Sequence, residues 1–246
     1  MISVIIPTMR LKRKKNIKYL YKSISSLPDV IKDLKENTKE EIEIILVVNG
    51  LEDQSLIKFV DELENVKIIK NNLNVGVARA WNMGRHFAEG EFLLYLNDDV
   101  RVASSAISEM KKTFESKEKV GIVGPKGAKW ENCEHVEFVG ENSIEEASAI
   151  AGFAFMVKTE IFDEIGGFDN AYTPAGFEEI DFCFKAIQAG YHCIVNPAID
   201  ITTEPRHGIS ALNTNIKYLN SEINTQDLNA RNRDYFESKW KNHESN

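Results

Sequence analysis

The chain has 246 residues, of which 43% are hydrophobic and 28% are charged, so it can bury a core of ordinary globular size. A formal net charge of -8 argues against general affinity for nucleic acid, because a surface that binds phosphate backbones is basic. No apolar run approaches the roughly 20 residues that span a bilayer, and the opening MISVIIPTMR lacks the pattern of a secretory signal. These features predict a cytoplasmic protein whose cysteines, Cys133, Cys183 and Cys193, are reduced and structural.

Short β-branched segments alternate with longer segments of helical spacing through the first part of the chain. We predict strands at residues 2–7, 41–48, 66–70 and 91–96, and crossover helices at 16–34, 54–63 and 76–88. This alternation is typical of a largely parallel α/β sheet.

Beyond the fourth strand the regularity weakens. We predict a helix at 104–115, strands at 120–123 and 149–157, and a helix at 177–189. The last segment, DLNARNRDYFESKW, has the spacing of an amphipathic helix that packs on the core or on another subunit. The second half is therefore expected to be mixed, with some antiparallel pairing.

Two adjacent acids, Asp98 and Asp99, follow the apolar strand LLYL. Ligands of open α/β sheets collect beyond the carboxyl ends of the parallel strands, so Pro7, Asn49 and the acids should converge there. Adjacent carboxylates repel each other unless water or a cation screens them, and hard divalent cations take such oxygen ligands. The pair predicts a cation site or, alternatively, a solvated turn, because Asp and Asn favour turns.

The segment NNLNVGVARAWNMG follows the third predicted strand and spans a loop and a helix start. Gly76 permits close backbone approach, the helix start beyond Asn74 offers N–H groups, and Arg79 adds a fork of donors. This pattern suits a phosphate group. The alternative is an ordinary loop with an exposed arginine.

Three acids, Glu178, Glu179 and Asp181, open the helix predicted at 177–189. The helix dipole favours carboxylates in the first turn, so capping explains some of them without any chemistry. Three acids exceed what a cap requires, and their apolar neighbours predict that at least one is partly desolvated, with a raised pKa. Such a group would suit a general base.

The chain resembles the family 2 glycosyltransferases, an inverting group with the GT-A fold. The resemblance is carried, in order, by SVIIPTMR, ILVVNGLED, NLNVGVARAWNMG, EFLLYLNDDV, GFAFMVKTEIFDEIGGFDNAY, FEEIDFCFKAIQAGYHCIVNP, TEPRHGIS and NRDYFESKW. It implies a Rossmann-like mixed α/β sheet flanked by helices, in one domain that binds a nucleotide-diphosphate sugar. In that domain residues 1–100 would bind the nucleotide, residues 101–215 would hold the acceptor and the catalytic acids, and residues 216–246 would form a helical tail.

The resemblance also implies a divalent cation, Mn2+ or Mg2+, bound through the acidic motif. Asp99 matches the acid that binds the ion bridging the donor diphosphate, and Asp98 would lie near the ribose or the sugar. His207, in RHGIS, matches a histidine that closes over the diphosphate and can ligate the metal.

The resemblance makes Glu179 the match to the catalytic base, with Glu178 beside it near the acceptor. The family usually has Asp at the base position, so this chain departs by one methylene. The base role could persist with a changed reach, or the base could be Glu178 or Asp181.

A second departure concerns the nucleotide base. The family typically places an acid at the end of the second strand, whereas Asn49 stands there in this chain and Asp53 follows. An amide both donates and accepts hydrogen bonds and a carboxylate only accepts, so the preference for uracil is not implied. Pro7, Thr8 and Arg10 are candidates for lining the nucleotide pocket.

The implied partners are a nucleotide-sugar donor and a glycan or lipid-linked acceptor, as in cell-surface polysaccharide biosynthesis. The basic segment RLKRKKNIKYLYK could touch anionic headgroups at the inner face of the membrane, or form a solvated helix face. Two other classes remain: a nucleotide-sugar pyrophosphorylase and a non-catalytic nucleotide-sugar binding module. The first should have a glycine-rich loop after the first strand, which IIPTMRLKRKKN lacks, and the second is favoured only by the Glu-for-Asp change.

Overall fold

The computed structural model describes residues 1–11, 26–203 and 213–241. The strands, in chain order, are β1 Ile2–Thr8, β2 Ile42–Asn49, β3 Lys67–Asn71, β4 Phe92–Leu96, β5 Val100–Val102, β6 Val120–Gly124, β7 Gly127–Glu131, β8 Glu134–Val139, β9 Glu145–Ala147, β10 Ala149–Ile150, β11 Ala154–Lys158, β12 His192–Val195, β13 Ile201–Thr203, β14 Asn215–Tyr218 and β15 Ser221–Asn224. The helices are α1 Leu27–Asn37, α2 Gln54–Asp61, α3 Val77–His86, α4 Ala106–Phe114, α5 Thr159–Glu164, α6 Glu178–Gln188 and α7 Thr225–Trp240, with a 3₁₀ turn at Asn170–Tyr172.

The main sheet of the described residues has the strand order β3-β2-β1-β4-β11-β6-β12-β9. Strands β1 to β4 are parallel, as predicted, and their ends lie within two residues of the predicted ones. Helices cover both faces, so alternate residues of β1 enter different clusters: Val4 packs with α1, α2 and α4, whereas Ile5 packs with α3, α5 and α6. Burial on both faces explains why these strands are apolar without alternation.

Helix α3 lies unusually close to β1. A Cβ at Gly84 would stand 2.4 Å from Cγ2 of Ile5, so glycine is required for this approach. The same helix presents Trp81 to a buried aromatic group that includes Tyr95, Phe155 and Phe168. This packing joins the first half of the chain to the second.

The second half is mixed, as predicted. Strand β11 runs antiparallel between β4 and β6, and β12 then runs parallel to β6. The strand predicted at 149–157 is interrupted: β10 joins a small sheet with β7 and β8, whereas β11 enters the main sheet. The short or polar strands β5, β7 to β9 and β12 to β15, and the helix α5, were not predicted from the sequence.

The amphipathic segment near the end forms α7. Leu228, Phe236 and Trp240 are buried in it, whereas Tyr235 is exposed, and the helix packs on the core of this chain. The predicted first crossover helix is only partly tested, because residues 12–25, which include most of the basic segment, lie outside the described residues. None of the helices in the described ranges has the length and apolar character that crossing a bilayer requires. The three cysteines are buried.

Candidate functional site

The two acids that follow β4 lie at the carboxyl edge of the parallel strands, where they were predicted. Asp98 and Asp99 are each only 6% exposed. The last residue of β1, Thr8, donates its hydroxyl to Oδ2 of Asp98 at 2.8 Å. The ends of β1 and β4 therefore meet through a buried side-chain hydrogen bond.

The end of β2 joins the same edge through Asp53. This carboxylate caps α2 by accepting from the N–H groups of Ser55 and Leu56, and it accepts a third bond from the N–H of Leu11 at 2.9 Å. Burial alone would raise the pKa of Asp53, but these backbone bonds and the charge of Arg10 hold it below its usual value. Asp53 thus holds the chain beyond β1 in place as an anion.

The antiparallel strand β11 brings the acidic helix to this edge. Its register pairs Ala154 with Leu96, and the N–H of Asn97 donates to the carbonyl of Phe153 at 2.9 Å. Gly152 therefore runs alongside the acidic motif. A Cβ on Gly152 would stand 3.1 Å from the carboxyl carbon of Glu179, so this carboxyl rests on backbone that has no side chain.

A strained turn leads into α6. Gly176 has φ 99° and Phe177 has φ 75°, and the left-handed region is costly for a residue with a bulky side chain. Rings hold Phe177 there, with Phe236 at 5.4 Å and Trp130 at 6.2 Å between centroids. The turn sets the direction in which the next two residues, Glu178 and Glu179, leave the backbone.

Glu178 and Glu179 are desolvated to different extents. Glu178 is 5% exposed, and its Oε2 has no hydrogen-bond partner among the described residues, whereas Glu179 is half-buried. Burial, and then the charge of Glu179, raises the pKa of Glu178 well above its usual range. Burial also raises the pKa of Glu179. The sequence predicted that at least one acid at this helix start is partly desolvated, and in the structure burial raises the pKa of both.

Asp181 differs from its neighbours because both oxygens of its carboxylate accept hydrogen bonds from other side chains. It is fully buried and accepts hydrogen bonds from Tyr172 Oη at 3.0 Å, Trp240 Nε1 at 2.8 Å and Lys239 Nζ at 3.0 Å. Both oxygens of this carboxylate are therefore engaged by groups of the chain itself. Through these bonds Asp181 joins α6 to α7.

Two neighbouring polar residues of α7 hold the turn before the acids. Asn232, 1% exposed, donates to the carbonyls of Tyr172, Ala175 and Gly176 at 2.8, 3.0 and 2.9 Å. Arg231 donates to the carbonyl of Thr173. Asn232 was not predicted from the sequence, although its position four residues after Leu228 and four before Phe236, inside an apolar stripe, is a usable signal.

The side chain of Asn49 is used within the chain. Its Nδ2 donates to Asn74 Oδ1 at 3.0 Å and to the carbonyl of Gly76 at 3.2 Å, and its Oδ1 accepts from the N–H of Val75 at 2.8 Å. An amide with both donors engaged has little left for a nucleotide base. Asn49 thus holds the loop after β3.

The glycine and arginine of that loop also find partners inside the protein. A Cβ on Gly76 would stand 2.7 Å from Thr173 Cγ2, and the N–H of Val77 donates to the carbonyl of Pro174 at 2.8 Å. The guanidinium of Arg79 donates to Tyr218 Oη and lies 5.8 Å from the centre of that ring. Asn74 likewise donates to the carbonyl of Lys217 at 2.8 Å. The predicted phosphate loop therefore packs against the acidic half and the β14–β15 hairpin.

The predicted metal ligands are only partly described. His207 lies outside the described residues. Within the described residues, no group of three or more His, Cys, Asp or Glu side chains is arranged to hold an ion. Asp98 and Asp99 supply two adjacent, buried carboxylates, a donor set that fits a hard divalent cation.

The turn before the acids should depend on Asn232. Replacing Asn232 with Ala removes the amide whose two N–H groups the carbonyls of Tyr172, Ala175 and Gly176 share, so we expect the free energy of unfolding to fall by about 1–3 kcal/mol. Denaturant unfolding measures this change, and nucleotide binding should remain. Asn37→Ala is the matched control. It removes one hydrogen bond from a side-chain amide to the carbonyl of Val102, and this bond does not involve the turn before Glu178. Equal losses in both variants would contradict the role of Asn232.

Glu178 should make stability depend on pH in a defined direction. Because its pKa is raised in the folded state, the parent loses stability as pH rises from the usual Glu value through the raised one. Gln cannot ionise, so the melting temperature of Glu178→Gln minus that of the parent should be larger at pH 8 than at pH 5. The same substitution at the exposed Glu160 is the control. A difference that shrinks with rising pH would refute the burial of a charge at Glu178.

Known proteins resemble this chain in sequence and in fold. Residues 3–166 match the family described as Glycosyl transferase family 2. The chain is 24% identical, over 99% of its length, to the uncharacterized protein y4gI of Sinorhizobium fredii (strain NBRC 101917 / NGR234), of which it covers 28%. It is 22% identical to an uncharacterized glycosyltransferase of Haemophilus influenzae (strain ATCC 51907 / DSM 11121 / KW20 / Rd), with 76% of this chain and 62% of that protein covered. The chain therefore spans less than two thirds of each relative.

Two solved structures share its architecture. The crystal structure of GalNAc-T7 with UDP, GalNAc and Mn2+ superposes with a TM-score of 0.60 at 18% identity, covering 80% of this chain and 42% of that one. The mannosyltransferase PcManGT from Pyrobaculum calidifontis, in complex with GDP-Man and Mn2+, gives 0.58 at 16% identity, covering 85% and 59%. These likenesses show the fold alone, the GT-A fold implied by the sequence. Since the family match covers the larger part of the chain and both acids after β4, the protein belongs to glycosyl transferase family 2.

Proposed function

We propose that the protein is an inverting, metal-dependent transferase that moves a hexosyl group from a nucleoside-diphosphate donor to a hydroxyl acceptor. The observation that carries this proposal is the position of the Glu179 carboxyl on Gly152, beside the strand end that bears Asp98 and Asp99. A desolvated acid and two buried carboxylates thus face one edge of the sheet. This arrangement suits a reaction in which Glu179 accepts a proton and the aspartate pair binds a diphosphate through a cation.

In the proposed reaction Glu179 acts as the general base. Its ionised carboxylate takes the proton of the acceptor hydroxyl, and the oxygen forms a bond to the anomeric carbon. The bond from that carbon to the diphosphate oxygen breaks on the opposite face, so the configuration inverts and the nucleoside diphosphate leaves with the electron pair. A pKa raised by burial makes Glu179 a stronger base than an exposed Glu, which supports the assignment.

We assign the metal site to Asp99, with Asp98 beside it and His207 as a further candidate ligand. A divalent cation bound there would offset the negative charge that develops on the departing diphosphate. The hydrogen bond from Thr8 to Asp98 orients that carboxylate from the end of β1. Oxygen ligands of this kind suit Mn2+ or Mg2+.

We propose that Pro7, Thr8, Arg10 and Asp53 line the nucleotide side of the pocket. Asp53 holds the backbone of Leu11 near the end of β1, which supports its inclusion. Asn49, Asn74, Gly76 and Arg79 would act behind this surface, because their polar groups bind other parts of the chain. Selectivity for the nucleotide base would therefore come from backbone groups and from side chains other than that of Asn49.

Glu178 is assigned to the acceptor side, next to the base. Its buried carboxyl, without a partner at Oε2 among the described residues, can hydrogen-bond a sugar hydroxyl that displaces no existing bond. The acceptor would be a glycan or a lipid-linked sugar. We also propose that residues 1–100 bind the nucleotide and residues 101–215 carry the acceptor and catalytic acids, within one domain that acts in the cytoplasm or at the inner face of the membrane.

The base assignment is tested at Glu179. Glu179→Gln keeps the shape of the side chain but removes its proton affinity, so turnover should fall by about 10²- to 10⁴-fold. Nucleotide binding should barely change. The assay measures diphosphate release from a panel of UDP-, GDP- and dTDP-sugars with simple sugar acceptors, and Glu178→Gln and Asp181→Asn are measured alongside. Normal turnover in Glu179→Gln beside a collapse in Glu178→Gln would move the base to Glu178.

Two further variants test the position of the carboxyl. Glu179→Asp withdraws it by about one carbon–carbon bond, or about 1.5 Å. Gly152→Ala places a methyl group against it, where only the flexible end of Glu179 needs to shift. Both should lower turnover while the folded state remains, since small misplacements of a catalytic group are costly. Full activity of both would show that the contact at Gly152 is not used. Nucleotide binding without turnover on any donor would favour a non-catalytic binding module.

The metal assignment is tested by calorimetric titration of UDP, GDP and dTDP with and without Mn2+. In Asp99→Asn we expect the Mn2+-dependent part of binding to be lost, because the amide no longer offers a charged ligand. Asp163→Asn is the control, since Asp163 pairs with Arg85 at the surface. Equal Mn2+ dependence in Asp99→Asn and in the control, for every diphosphate that binds, would remove Asp99 from the metal site.

A further inference from the structure

The β7–β8 hairpin carries a row of aromatic rings on one face. Trp130 lies opposite His135, and Ala128 lies opposite Phe138, with a register shift between these pairs. The shift amounts to a β-bulge that inserts one extra residue into β8. Residues three apart, which would otherwise point to opposite faces, therefore share a face, and His135 and Phe138 stand next to each other.

The rings form a continuous path from the surface to Phe177. The ring centroids of Phe138 and His135 lie 4.7 Å apart, those of His135 and Trp130 6.0 Å, and those of Trp130 and Phe177 6.2 Å. Phe177 immediately precedes Glu178. The inner end of this path is packed against Phe236 of α7, whereas its outer end is open to solvent.

Phe138 is the most exposed large hydrophobic side chain among the described residues, at 76%. Folding gains little from an aromatic ring in this position, since most of its surface stays in water. The bulge nevertheless turns the ring onto the face that carries His135 and Trp130. This combination points to a ligand as the group that covers Phe138.

The charge around the rings narrows the class of ligand. The hairpin and its end carry four acids, Glu131, Glu134, Glu137 and Glu141, against Lys129 as the one basic residue between 127 and 141. Lys129 is already paired with Glu137, and Arg233 of α7 is paired with Glu134. A polyanionic ligand or an anionic membrane surface would be repelled by this excess, whereas a neutral ligand would not.

We propose that His135 and Phe138 form a subsite for a neutral pyranose ring of an extended acceptor glycan. The C–H groups of a pyranose face carry a small positive charge and pack against the electron-rich face of an aromatic ring. The path of rings places this subsite at a distance from Glu178 and Glu179, so it would bind a sugar unit away from the reacting hydroxyl. This inference rests on the proposed transferase function, for which it names the acceptor class.

The subsite is tested with neutral hexasaccharides of glucose, mannose and N-acetylglucosamine, their monosaccharides, and a heparin hexasaccharide, using calorimetry. We expect at least one neutral hexasaccharide to bind more tightly than its monosaccharide. Phe138→Ala should weaken that binding about tenfold, since aromatic contacts contribute up to roughly that factor. His135→Ala should weaken it in the same direction. Phe87→Ala is the matched control, because Phe87 is also exposed, at 52%, but follows α3 at the opposite edge of the sheet.

Three results would contradict the proposed subsite. No binding by any neutral hexasaccharide, equal losses in Phe138→Ala and Phe87→Ala, or tighter binding of the heparin hexasaccharide would each remove it. Failure of the proposed function would give a different result, namely no diphosphate release with monosaccharide acceptors. That release is proposed to depend on Glu179 and Asp99, and not on Phe138. That release, and the binding of UDP, GDP or dTDP, should be unchanged in Phe138→Ala.

Discussion

The buried carboxylate of Asp181 joins the last described helix to the helix that carries the two desolvated acids. Lys239, Trp240 and Tyr172 donate to it from two directions, and a buried charge is tolerated only with such a set of donors. Loss of one partner from a buried charge costs several kcal/mol, so the position of α7 on α6 is strongly specified. Once α7 is seated, Asn232 reaches the carbonyls of the preceding turn. The segment predicted as a helical tail is therefore part of the support of the site.

Hydrogen bonds between distant segments connect this acidic region to the proposed nucleotide side. Asn49 holds the loop after β3, and Arg79 of the following helix binds Tyr218, whose hydroxyl lies 2.7 Å from that of Thr173. Thr173 in turn belongs to the turn that α7 holds. The chain of contacts runs from β2 through the β14–β15 hairpin to the residues before Glu178. Residues typical of a phosphate loop thus serve to keep two halves of the site in register.

The sequence predicted those parts of the site that follow from local pattern. Apolar strands and helical spacing located β1 to β4, and the edge rule for open sheets located Asp98 and Asp99. The roles of Asn49 and Arg79 could not be read in this way, because Arg79 and its partner Tyr218 are 139 residues apart. Asp181 likewise resembles its two acidic neighbours in sequence and differs from them through its bonds to Tyr172 and to α7. Polar partners across such separations are set by tertiary packing, on which local pattern carries no information.

The Glu at the position where the family usually has Asp has a physical counterpart in Gly152. On a helix the longer side chain carries its carboxyl farther from the axis, and a residue opposite with a Cβ would meet it at about 3.1 Å. Glycine removes that obstacle, while the ladder between β11 and β4 keeps the backbone of residue 152 beside the acidic motif. The reach of Glu179 is therefore matched by what it faces. A change of one methylene at the proposed base position is consistent with retained chemistry when the residue opposite lacks a Cβ, and in this fold that residue is Gly152.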